Sequence, residues 1–114
     1  MTPLEQCLAA YAAGEVPARD IEKAAVKETL ARLTDAVPGN SVEVRIPPYA
    51  AVQILPGAKH RRGTPPAVVE ADARTWLLLA AGEHTWLEAA ATGRLRASGE
   101  RSDLSDTLAH VNFW

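Results

Sequence analysis

Few residues in this chain are equipped for chemistry, and none is spaced for it. His60, His84 and His110 lie far apart and outside any HExxH-type frame, and with Cys7 as the sole cysteine a zinc set cannot be completed. Cys7 itself falls on an apolar helical stripe, where a thiol behaves as a small buried hydrophobe rather than a nucleophile. Gly57, Gly63, Gly82, Gly93 and Gly99 stand singly at turns or helix ends, so no glycine-rich phosphate loop is present. No pair of carboxylates sits at an apolar strand end where acid–base work would need it. The expectation is a protein that is not an enzyme and has no metal and no cofactor.

Two features remain. One is the basic loop Lys59-His60-Arg61-Arg62-Gly63-Thr64-Pro65-Pro66. It reads either as an ordinary solvated loop stiffened by its prolines or as an anion site, with Arg61, Arg62 and Thr64 as donors. The other is the segment Trp76-Leu77-Leu78-Leu79-Ala80-Ala81, followed by Trp86. A surface helix carries one apolar stripe, so a helix apolar on every side must be covered on every side. Another protein layer, a partner or an apolar ligand could supply that cover.

The elements that position these residues follow from periodicity. Thr2-Pro3-Leu4-Glu5 is a capping box with proline at the first helical position, and Leu4, Cys7, Leu8 and Tyr11 then share one face up to Gly14. A second helix is predicted from near Pro17 to about Ala36, with Val26, Leu30, Leu33 and Val37 inward and Glu22, Lys23, Lys27 and Arg32 toward solvent. Pro38-Gly39-Asn40 ends it. The period then changes: Val42, Val44 and Ile46 alternate with Glu43 and Arg45 as in a half-buried strand. A second strand is predicted over Ala50–Leu55, a third over Ala67–Ala71 and a fourth over Arg94–Ser98. Between the last two, Asp72 caps a helix that ends at Gly82, and Thr85 with Glu88 forms a second capping box for a helix ending at Gly93. A final helix, roughly Ser102–His110, puts Leu104, Leu108 and Val111 on one face. Helix blocks flanking strands, without regular alternation, predict an α+β fold with a mostly antiparallel sheet and helices on one face.

Composition limits the partners. The 114 residues suit one domain (1–114), with N-terminal helices over 1–37 and the sheet, short helices and terminal helix over 42–110. A formal net charge of −2 with mixed signs gives no basic face for nucleic acid. One cysteine, no signal-like N-terminus and no apolar run of ~20 residues point to a cytoplasmic protein without integral membrane association.

From Val42 onward the ordered series resembles the sterol carrier protein type 2 family. The pieces that carry it are Val68-Val69-Glu70-Ala71-Asp72, then Trp76 to Glu83 (WLLLAAGE), then Gly93-Arg94-Leu95-Arg96-Ala97-Ser98-Gly99. VRIPPYAAVQ, RRGTPP and TGRLRASGERSDLS are similar to the actinobacterial branch of sterol carrier family proteins. Against the four strands read from the residues, the resemblance implies five, so the expectation is a mixed sheet of four to five strands covered on one face by helices. Between them it implies an apolar tunnel for a fatty acyl chain, acyl-CoA or sterol-like lipid. On that basis Trp76, Leu77, Leu79, Trp86 and Leu87 are expected along the cavity, with Val44, Ile46, Val52 and Ile54 on the sheet side. Arg61, Arg62 and Thr64 are the candidates for a head group. The C-terminus carries no peroxisomal signal.

Two other readings stay open. Mycothiol-dependent maleylpyruvate isomerases end in a domain of this type, which makes an accessory domain of such an enzyme one alternative; the histidines of their metal-binding bundle are missing here. The other is a structural module without ligand, whose apolar helix is covered by a second copy in a homodimer.

Overall fold

The computed structural model describes residues 1–57 and 67–114. Within them the chain order is α1 (Pro3–Ala12), α2 (Arg19–Ala36), β1 (Pro38–Ile46), β2 (Ala50–Ile54), β3 (Ala67–Ala71), α3 (Ala73–Ala80), α4 (Trp86–Ala91), β4 (Leu95–Ser98) and α5 (Ser105–Ala109). The architecture is α+β.

Local chemistry sets the helix starts. Thr2 accepts from the Glu5 amide at 3.1 Å, and the Glu5 carboxylate accepts from the Thr2 amide at 3.0 Å. Thr85 and Glu88 reproduce the same reciprocal pair at 3.1 and 3.0 Å. Asp72 caps α3 by accepting from the Thr75 amide at 2.8 Å. Each such cap satisfies amides that the first helical turn leaves without partners. Gly82, at φ +78°, ends the turn after α3, a conformation that costs a residue with a Cβ.

The sheet has the order β2-β1-β3-β4. β1 pairs antiparallel with β2 and parallel with β3, and β3 pairs antiparallel with β4. The sheet is therefore mixed, with four strands among the described residues. Alternation sorts its two faces. Val42, Val44 and Ile46 of β1 lie inward beside Val69 and Ala71 of β3, all buried under the helices. On the opposite face Arg45, Glu70 and Arg96 form one cross-strand row. Arg96 is 3.6 Å from Glu70 there, and Arg45 pairs with Glu43.

β1 begins earlier than the alternation implies, at Pro38 rather than Val42. Its register against β2 shifts between Pro38 and Val42, where both face Ile54. Gly39 permits the irregularity: at φ +154° it lies so close to Leu55 that a Cβ would stand 1.9 Å from the Leu55 carbonyl oxygen. Pro38-Gly39 thus ends α2 and opens the strand at once. α5 is shorter than expected and contains Ser105–Ala109.

Candidate functional site

Almost every side chain of α3 is buried: Ala73, Thr75, Trp76, Leu77, Leu78, Leu79 and Ala80. Most of the cover comes from the chain itself. The indole N–H of Trp76 donates to Thr29 Oγ1 of α2 at 2.8 Å. Thr29 Oγ1 lies 2.8 Å from the carbonyl oxygen of Ala25, to which its own proton can be donated. The ring edge of Trp76 meets Phe113 at 5.6 Å between centroids and an interplanar angle of 87°, the favourable edge-to-face geometry. The C-terminal segment is thereby a further layer over α3.

Cover is incomplete at the C-terminal end of α3. There a groove of about 420 Å³ runs between the end of α3, the start of α4 and α5. Its apolar walls include Leu79, Ala80, Trp86, Leu108 and Val111, and its polar lining includes His84, Thr85 and Ser105. That volume falls in the range of small-molecule sites. The Nδ1 atom of His84 is buried and has no hydrogen-bond partner among the described residues.

The residues expected along a cavity divide into groups. Leu79 and Trp86 line the groove. Val44, Ile46, Ile54, Trp76 and Leu77 are at most 2 % exposed, inside the hydrophobic core. Val52, on edge strand β2, is half-buried against that core. Leu87 does not join any of them. It is 78 % exposed, because α4 turns Ala89 inward and Leu87 outward. Arg61, Arg62 and Thr64 of the basic loop lie outside the described residues, as does His60. Sequence reasoning missed Phe113 altogether, although it is the only phenylalanine in the chain. It placed Leu108 and Val111 on an apolar face without seeing that this face is a groove wall.

A second polar cluster contradicts the expectation for Glu22. Its carboxylate does not face solvent freely but accepts from Tyr11 Oη at 2.5 Å and from Tyr49 Oη at 2.8 Å. Arg74 lies over the Tyr11 ring and Arg19 over the Tyr49 ring, each at 5.7 Å. Burial, then Glu22 through its hydrogen bond and its charge, pushes both tyrosine hydroxyls above their ordinary range. Burial and the Glu22 charge push the Cys7 thiol up to about 11, which keeps it protonated and inert at neutral pH. Among the described residues no group of three or more His, Cys, Asp or Glu side chains is placed to hold a metal ion. No helix there is long and apolar enough to cross a membrane.

A family model described as bacterial SCP ortholog matches residues 18–109. The chain belongs to this SCP-like family. No curated protein matches it. The SCP match contains α2 through α5 and hence most of the groove, including Leu79, His84, Trp86 and Leu108. Val111, which lines the groove, and Phe113, which packs on Trp76, lie beyond the matched residues.

Proposed function

We propose that this protein binds, and carries without catalysis, a hydrophobic ligand with an acyl-like or other lipid body. The ligand's apolar part lies in the groove bounded by Leu79, Ala80, Trp86, Leu108 and Val111. The observation that carries this reading is the largely apolar groove at the C-terminal end of α3, in a chain of the SCP-like family. The absence of a nucleophile with a paired base in that lining favours binding over turnover.

Energetics set the demand on the ligand. Burying about ten methylenes is worth roughly 8 kcal/mol, close to the free energy of micromolar binding, but the costs of association come out of that sum. A longer apolar body or a well-placed polar contact has to make up the difference. Titration of the protein with a fluorescent fatty acyl probe tests the proposal, read through the probe's own emission. Saturable binding that is weakened in Trp86→Ala is the expected result. A native protein showing no saturable change with acyl or sterol probes refutes it.

A further inference from the structure

Resting on the groove as the site of an apolar ligand, we infer that residues 105–112 form a strap anchored at Leu104 and Phe113, which lifts to admit the ligand and closes over it. Burial fixes the two anchors. Leu104 is 0 % and Phe113 4 % exposed, both within the hydrophobic core, and Phe113 is also set edge to face against Trp76.

Between the anchors the segment is held lightly. α5 has no buried residue and no side-chain cap at its start. Its hydrogen bonds are local. The Leu108 amide donates to the Leu104 carbonyl at 2.8 Å, the Val111 amide to the Leu108 carbonyl at 3.3 Å and the Ser105 amide to the Asp103 carboxylate at 3.0 Å. His110 Nδ1 meets the Asp106 carbonyl at 2.7 Å. Among the described residues, 103–114 make no hydrogen bond or ion pair with the chain that precedes them.

What attaches the middle of the strap is therefore the partial burial of Leu108 and Val111 against the core. Lifting it gives up those contacts and breaks no hydrogen bond to another element. Segments with so few buried contacts open at free energies well below that of global unfolding. The same two side chains couple the strap to the ligand, because both line the groove. The facing walls, Leu79, Ala80 and Trp86, belong to α3 and the start of α4. A ligand lying against them touches Leu108 and Val111 only when the strap is closed. It binds the closed state better and shifts the population toward it.

Amide hydrogen exchange, resolved by residue, tests this in the free protein and with the fluorescent fatty acyl probe at ten times its Kd. Once lifted, a helix as short as α5 does not hold its own hydrogen bonds in water, so its amides report each opening. In the free protein the Leu108 and Val111 amides should exchange much faster than those of Leu30 and Leu33 on the buried face of α2. Low urea should leave the strap rates unchanged, since a local opening exposes little surface. Bound probe should slow both strap amides about tenfold, the factor by which that occupancy depletes a state unable to bind. Strap amides as slow as Leu30 and Leu33 in the free protein would overturn the inference. So would strap amides that keep their rate while the probe binds saturably, and in both cases the groove would stand. A probe that fails to bind at all removes the groove reading, and the strap's coupling to a ligand goes with it.

Discussion

The Trp76 indole N–H and the Thr29 hydroxyl oxygen meet at 2.8 Å in the interior, joining α3 to α2 across 47 residues of sequence. Both are buried, so neither can fall back on solvent. Thr29→Val keeps the shape but strands the indole donor. It should cost about 1–3 kcal/mol, the penalty for an unpaired buried polar group. Urea unfolding of the two proteins checks this, and an unchanged midpoint would mean that the hydrogen bond contributes nothing net.

Phe113 supplies the other contact of Trp76, edge to face at 5.6 Å. Phe113→Ala removes a buried aromatic and opens the layer over α3, at a cost of about 3–5 kcal/mol. Thermal unfolding should show the loss, with tryptophan emission shifted to longer wavelength as water reaches Trp76. Trp114→Ala, at an exposed neighbour, should leave the unfolding midpoint near native.

Ala109 lies on the groove wall and is exposed. Ala109→Trp should fill that space with little strain, changing stability by no more than about 0.5 kcal/mol. Affinity for an acyl probe should fall by about tenfold, the worth of roughly two excluded methylenes. Full retention of binding would place the ligand elsewhere.

Alkaline pH should loosen the Tyr11–Glu22–Tyr49 cluster. Both hydroxyls are held above the ordinary tyrosine value of 10.0 by burial first and by Glu22 second. A group with a raised folded-state pKa contributes stability that is fully present below the unfolded value. The contribution is lost as pH rises through the folded one. Stability should therefore decline above about pH 10, and the decline should be shallower in Tyr11→Phe. Denaturant midpoints across that range provide the test.

Cys7 should resist alkylation in the native state, since it is fully buried and its thiol is pushed up to about 11. Burial is the larger cause and the Glu22 charge the smaller. Mass spectrometry after iodoacetamide treatment at neutral pH should find the native protein unmodified and the urea-unfolded protein modified once.

What the sequence by itself determined is what neighbours along the chain decide. Thr2 with Glu5, Thr85 with Glu88 and Asp72 with the Thr75 amide are partners three residues apart, so their caps were legible as spacing. The alternation of Val42, Val44 and Ile46 likewise identified the buried face of β1, because a strand's pleat has a period of two whatever lies beside it. The α+β class and the SCP-like resemblance followed from the order of such elements. Only the tertiary structure decided which apolar side chains share a space. Leu87 and Leu79 look alike in sequence, yet one meets solvent and the other a groove wall, since α4 packs through Ala89. Glu22 sits among charged residues that suggest a solvated face, and it is instead claimed by Tyr49, 27 residues away. Phe113 has no periodic neighbours to announce it, and it is buried against the distant Trp76 ring edge and the rest of the core. Long-range partners confer these roles through burial and hydrogen bonding, and no local pattern encodes which distant segment will arrive.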